Sequence, residues 1–335
     1  MKARLFVLFT GAALAGTSAA AQTPDTNRCP NTTSTQRISQ DACQKALDLF
    51  QYLAPQLGTS ITGGNATLGQ GGNLGGLGHF SVGLRVNAVQ GSLPQIQNIT
   101  LSTSGATNTP PIDTKTQIIP MPTADLAIGI FKGLPLALTN VGGVDLLVSA
   151  AYLPEFDGSG VSVKVPEGSL KLGYGARLGI LQESLLVPGV SVSYLRRDLP
   201  TVNIAANSGG DSLYVKNLSL KTKAWRVVAS KSLLLFGLAA GFGQDKYESS
   251  ADVSAHVAAR TVPPTSAANA GPVSLAQNLT RANVFADVSM NLLLFKITGE
   301  IGQVSGGTIN TYNTFSGKQA ADSRIYGSIG ARFGF

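Results

Sequence analysis

From residue 80 to the end of the chain, apolar side chains return at every second position, and the pattern recurs segment after segment. A strand sends successive side chains to opposite faces, so each segment has one apolar face and one polar or glycine-rich face. Phe80, Val82, Leu84, Val86 and Ala88 alternate with Ser81, Gly83, Arg85 and Asn87. Leu170, Leu172, Tyr174, Ala176, Leu178 and Ile180 alternate with Lys171, Gly173, Gly175, Arg177 and Gly179. Similar runs cover residues 124–130, 144–152, 190–194, 213–229, 234–242, 284–290, 297–301 and 325–335, which makes ten strands. In the run at 213–229 the phase changes near Ala224 and Trp225, which reads as a bulge. The count rises to twelve if residues 95–104 contribute further strands.

Outside the N-terminus no uninterrupted apolar run reaches the roughly 18–20 residues that a membrane helix needs. A membrane protein without such helices has to be a closed barrel, because lipid cannot satisfy open backbone groups. The connections fit that architecture. Links after odd strands are long and polar (90–121, 154–168, 198–211, 248–279, 305–322), and links after even strands are short (132–143, 181–189, 230–233, 291–295). Long loops alternating with short turns are the habit of outer-membrane barrels. Charged residues make up only 13% of the chain, which excludes a charge-rich disordered segment. The reading is all-β: a transmembrane antiparallel up-and-down barrel of about ten strands over residues 79–335, preceded by a short helix.

The last thirteen residues, SRIYGSIGARFGF, place Ile325, Gly327, Ile329, Ala331, Phe333 and Phe335 on one face. The segment resembles the terminal strand of bacterial outer-membrane β-barrels, whose final aromatic residue is read by the insertion machinery. That resemblance implies an assembly signal at Tyr326, Phe333 and Phe335. Residues 119–133, containing PMPTADLAIGIFKG, resemble the second-strand region of an uncharacterised family of Gly-rich outer-membrane barrels. Residues 169–200, with SLKLGYGARLGIL and LLVPGVSVSYLRRDLP, look like that family's central hairpin. The resemblance implies architecture and no known chemistry.

Residues 1–21 read as a secretory signal: Lys2 and Arg4, an apolar stretch over 5–16, and Ala19-Ala20-Ala21 before the cleavage point. Its removal takes the formal net charge from +7 to +5. The remaining Lys and Arg are scattered, which argues against nucleic acid and for lipid headgroups or a mixed-charge lumen. Residues 22–78 read as a periplasmic arm. Cys43, Ala46, Leu47, Phe50, Leu53 and Leu57 recur at helical spacing, so a helix is expected over 39–57, with Ser39 as its cap and Gly58 as its stop. Cys29 and Cys43 are expected to pair in the oxidising periplasm, and a loop of that size contributes about 3 kcal/mol. Residues 59–78 hold eight glycines. They read as a linker to the barrel, with a plug in its mouth as the alternative.

Catalysis has little to work with. His79 and His256 stand in no metal-ligand spacing, Gly158-Ser159-Gly160 lacks the frame of a nucleophile elbow, and Asp157 reads as a solvated turn. No enzyme, cofactor or metal is expected. The lumen-facing charges are Arg85, Asp125, Asp145, Lys171, Arg177, Asp287, Glu300 and Arg332, and the same phasing adds Lys221, Lys223, Asp245 and Lys296. Both signs are present, which favours pairs that cross a narrow lumen. The functional reading is a structural barrel or a narrow passive route for a small solute of unknown identity. The alternatives are an adhesin or envelope scaffold acting through the long loops and, disfavoured, an outer-membrane enzyme. Expected partners are outer-membrane lipid, lipopolysaccharide and the assembly machinery. Deleting Phe335 should leave export intact and lower the amount of assembled barrel, scored as the compact species in unheated gels; normal levels would refute the terminal signal.

Overall fold

The computed structural model describes residues 23–158, 161–261, 264–292 and 294–334; the export segment at 1–21 and Phe335 lie outside the described residues. Ten strands form one ring. They are β1 (Phe80–Pro94), β2 (Thr114–Phe131), β3 (Gly143–Tyr152), β4 (Leu170–Leu181), β5 (Gly189–Asp198), β6 (Asp211–Leu233), β7 (Phe236–Val257), β8 (Ala268–Leu292), β9 (Phe295–Val304) and β10 (Arg324–Gly334). Each pairs antiparallel with its neighbours in sequence, and β10 returns to β1, with Gly334 opposite Ser81 and Tyr326 opposite Val89. Residues 95–104 add only a short 3-10 turn at Ile96–Asn98, so the ring stays at ten. At the long-loop end, Val202–Ser208, Val161–Lys164 and Phe156–Gly158 extend the sheet beyond the ring, beside the first part of β6.

The alternation of the sequence becomes the two faces of this wall. Leu84, Tyr174, Phe242, Val288 and Ile329 are exposed on the outside, while Arg85, Arg177, Asp245, Asp287 and Ser328 are buried inside. A continuous apolar outer face is unsuited to water and suited to lipid. Among the described residues no helix is long and apolar enough to cross a membrane.

In β6 the irregularity differs from the one read at 224–225. The register shifts between Lys216 and Ser219, with Asn217 at φ 52°. Asn is among the few non-glycine residues that adopt this backbone readily. Earlier placement of the bulge reverses the phase of the later residues of the strand. Thr222, Arg226 and Ser230 are buried toward the lumen, Lys221 is exposed, and Lys223 pairs with Glu248 at 3.0 Å outside it. Lys221 and Lys223 are therefore not lumen charges.

The helix α1 spans Ser34–Thr62, longer at both ends than the expected 39–57. Thr33, not Ser39, is the cap: its side chain accepts from the Gln36 amide, and the Gln36 side chain accepts from the Thr33 amide. That reciprocal box satisfies two donors that would otherwise be orphaned. Pro55 lies within the helix, and Gly58 is passed without a break because its space, not its flexibility, is what the fold uses. An added Cβ at Gly58 would sit 2.9 Å from the Tyr247 ring.

The helix lies inside the ring. Ala46, Leu47, Phe50, Tyr52 and Ile61 join Met121, Leu220, Val253 and Leu275 of the wall in the largest apolar cluster. Asp41, Gln44, Lys45, Asp48 and Gln56, on the polar side of the helix, are buried as well. A polar lumen accepts both sides of an amphipathic helix, which water outside the barrel would not require. Residues 63–76 continue down the lumen, buried or half-buried, to the short-turn end, so the linker reading gives way to a plug. Cys29 and Cys43 are joined in a disulfide, which ties residues 23–33 to the first turns of the helix at the long-loop end. Gly58→Val should undock the lower half of α1. Amide exchange over residues 50–62 should then speed up while the barrel keeps its compact migration; unchanged protection there would refute this packing.

Candidate functional site: a plugged lumen

Three layers of contacts hold the plug. At the long-loop end, α1 is the surface on which two loops fold. Asp41 accepts from the amides of Ser102 at 2.8 Å and Thr107 at 2.9 Å, and pairs with Lys45 at 2.5 Å. Asp48 accepts from Asn313 N at 2.8 Å, from Asn313 Nδ2 at 2.7 Å and from Tyr312 N at 3.2 Å. Burial pushes the Asp48 carboxyl up to about 6, against the lowering effect of those donors. A carboxyl pKa raised above its unfolded value means that the folded form takes up this proton as pH falls through about 6, so this group's contribution to folding stability grows toward mild acid. Tyr52 stacks on Phe315 with centroids 3.8 Å apart and donates to the Lys318 carbonyl at 2.8 Å.

In the middle layer, buried ion pairs of the wall surround the C-terminal end of α1. Arg226 meets Asp245 at 2.5 Å and donates to the carbonyls of Thr62 and Gly64. Asp245 also accepts from Asn283 at 3.0 Å and Tyr247 at 3.3 Å. Asp125 is shared by Arg85 at 2.8 Å and Arg197 at 3.2 Å. Arg197 donates to the Ile61 carbonyl and Arg85 to the Asn65 carbonyl.

The third layer is a strap, residues 63–76, that crosses the rest of the lumen and meets the wall chiefly through backbone groups. Asn65 N donates to Glu300 at 2.8 Å, Gly69 N to Asp287 at 3.0 Å, Gly71 N to Ser230 at 2.8 Å, and Leu74 N to Asp145 at 3.2 Å. Arg177 closes on Asp145 at 2.7 Å and donates to Thr67 Oγ1. Two glycines show why side chains are missing here. Gly64 has φ +70°, and a Cβ there would lie 1.5 Å from Glu300 Oε1; at Gly71 it would lie 2.5 Å from the Ser230 backbone nitrogen. Any larger residue at either position would push the strap off the wall.

Of the residues singled out in the sequence, Arg85, Asp125, Asp145, Arg177, Asp287, Glu300 and Arg332 lie around the strap and the end of α1. Lys171 is half-buried at the long-loop end of β4, away from that belt. Tyr326 is a lumen residue that donates to Asn283 at 2.8 Å, and Phe333 packs on Phe295 with centroids 5.4 Å apart. Arg197 and Arg226 are lumen charges that the sequence reading misses. Counting outward from Val190, Val192 and Tyr194 puts Arg197 inside, and Arg226 is hidden by the misplaced bulge. His79 and His256 sit at opposite ends of the barrel, His79 beside Gly129 and His256 with Nδ1 2.7 Å from Asn269. Among the described residues no group of three or more His, Cys, Asp or Glu is arranged to hold a metal.

No protein-family model matches the sequence, and no curated protein is similar to it. Partial likeness to solved structures exists. Ail, the attachment invasion locus protein of Yersinia pestis, is 9% identical over 77% of this chain and 97% of its own, with a TM-score of 0.24. The Ralstonia pickettii toluene transporter TbuX is 12% identical over 84% and 98%, with a TM-score of 0.28. OmpT, an outer membrane protein of Vibrio cholerae, is 11% identical over 82% and 99%, with a TM-score of 0.20. Likeness at this level carries no argument about role.

Asp145→Ala should strip a buried arginine of its partner and release Leu74, at a cost of about 3–5 kcal/mol. Asp145→Leu combined with Arg177→Met should recover most of that loss in urea unfolding; equal loss in both variants would refute the pairing. With its closed wall, apolar outer face, and long loops and short turns at opposite ends, the chain is an outer-membrane β-barrel, and its own N-terminal segment fills it.

Proposed function

We propose that this protein is a gated, narrow conduit for a small solute, closed at rest by its N-terminal segment and opened by movement of the strap rather than of the helix. The observation that carries this reading is the difference between the two parts of the plug. The helix is held by apolar packing and by two folded loops. The strap is held by its backbone amides donating to wall carboxylates and a serine hydroxyl and by wall arginines donating to its carbonyls. Each such bond to a charged group contributes a net ~1.5–3 kcal/mol, and water can take its place one bond at a time. A ten-stranded wall is only modestly wider than an eight-stranded one that its own side chains fill. A purely structural barrel therefore has little need of a separate backbone segment to seal it.

A disulfide across the strap tests this. An ideal Cβ at Gly72 lies 3.8 Å from the Cβ of Glu183, within the range a disulfide spans. In a background where Cys29 and Cys43 are serine, Gly72→Cys with Glu183→Cys should abolish openings in planar bilayers when oxidised and restore them when reduced. Traces that stay silent in the reduced protein, and in Asp145→Ala, would favour a structural or adhesive role instead. Openings that persist under oxidation would place the route elsewhere.

A further inference from the structure

At the short-turn end the lumen wall contains an arrangement that the gate does not use fully. Lys296 on β9 and Arg332 on β10 are direct partners across the strand pair, and both reach inward. Like charges placed opposite one another destabilise a strand pair. Among the described residues no carboxylate oxygen lies within 4.0 Å of either cation. Each instead touches the turn of the strap: Lys296 Nζ donates to the Gly69 carbonyl at 2.7 Å, and Arg332 Nη1 donates to the Gln70 side-chain oxygen. Two of the three ammonium donors of Lys296 are left over, and Arg332 Nε is buried with no partner.

The same hollow holds a further orphan. Thr298, two residues along β9 and 1% exposed, has a buried hydroxyl without a partner. Lys296, Thr298 and Arg332 line one cavity of about 20 Å³ with Arg85, Asp125 and Thr67. Asp125 is already held by Arg85 and Arg197, so it does not neutralise the pair. Gly330, opposite Thr298, leaves the wall bare at that point; a Cβ there would lie 2.7 Å from the Arg85 Cβ. One water needs roughly 10–15 Å³ measured in this way. The space therefore seats one small group at rest, and anything larger has to move the turn of the strap.

We propose that Lys296 and Arg332 form the seat for an anionic group of the solute, a carboxylate or a phosphate, which displaces the turn at residues 67–70 as it binds. The donors are of the right kind: an ammonium, a guanidinium edge and a hydroxyl, with Glu183 and Asp287 facing both cations only from beyond 4.0 Å and a strap carbonyl as the hydrogen-bond partner that an anion would replace at Lys296. Binding takes Lys296 from Gly69 and Arg332 from Gln70. It thus removes two contacts that hold the strap and relieves the opposed charges. This deepens the gated reading and rests on it for the consequence of binding, though not for the binding itself.

Calorimetric titration of the refolded full-length barrel with sodium acetate, and separately with inorganic phosphate, at ionic strength fixed with sodium chloride, tests the seat. Saturable binding is expected for at least one of the two, and the arm that saturates identifies the head group. Arg332→Gln and Lys296→Gln should each weaken it at least tenfold, and Lys296→Arg should restore it, with compact migration in unheated gels verifying each fold. Amide exchange at Gly69, whose N–H is otherwise held by Asp287, should speed up in the saturating anion. Absence of saturable heat in both arms, unchanged affinity in the Gln variants, or unaltered exchange at Gly69 would each overturn the proposal. Saturable binding in a protein whose bilayer traces stay silent would keep the anion seat and remove the conduit. Openings blocked by the 72–183 disulfide, with no anion binding, would do the reverse.

Discussion

Every backbone donor and acceptor that faces lipid has to find its partner within the protein, and this requirement orders the rest of the structure. It forces β10 back onto β1, which closes the ring and removes both sheet edges. Closure fixes an inside and an outside, and the two-residue period sorts side chains between them. Charges excluded from lipid then crowd into a narrow lumen, where each has to be paired or hydrogen-bonded. Asp145 with Arg177 and Asp245 with Arg226 answer that demand within the wall. Much of the remaining polar capacity is taken up by the backbone of residues 61–74.

The plug and the wall are therefore complementary in an uneven way. Around α1, the fit is apolar on one side and loop-mediated on the other, with Asp41 and Asp48 acting as templates for residues 102–107 and 312–313. Along the strap, wall side chains meet mainly strap backbone, joined by Thr67, Gln70 and a small apolar cluster of Ala66 and Leu74 with Ala127, Leu147 and Leu195. Rigidity is concentrated at the long-loop end and exchangeable contacts at the short-turn end.

Much of the wall was legible in the sequence because a strand exposed to lipid on one face has only one way to read. Leu84, Leu172 and Ile329 could not point inward without sending Arg85, Lys171 or Gly330 to lipid. Phase was lost where one residue departed from the period: Asn217, in a left-handed backbone, shifted β6 and concealed Arg226. The place of the helix was less legible. An apolar stripe at helical spacing states that a helix has something to pack against, and it does not say whether its polar side meets water or a polar lumen. The glycines of the strap posed the same difficulty, since a flexible linker and a backbone pressed to within a Cβ of Glu300 share one composition.

The course of the N-terminal segment also limits the order in which the molecule can be made. The segment enters at the long-loop end, runs the length of the lumen and leaves at the other end to become β1, which is one side of the seam. Near its start, the Cys29–Cys43 cross-link folds residues 23–43 into a doubled knob far broader than a single strap. Threading such a knob through a finished ring would mean parting the wall. The sheet is thus best wrapped around a segment already laid in place, with the β1–β10 seam zipped last. Once the seam is sealed, the knob acts as a stopper knot: the strap can slacken, but it cannot be drawn out through the short-turn end.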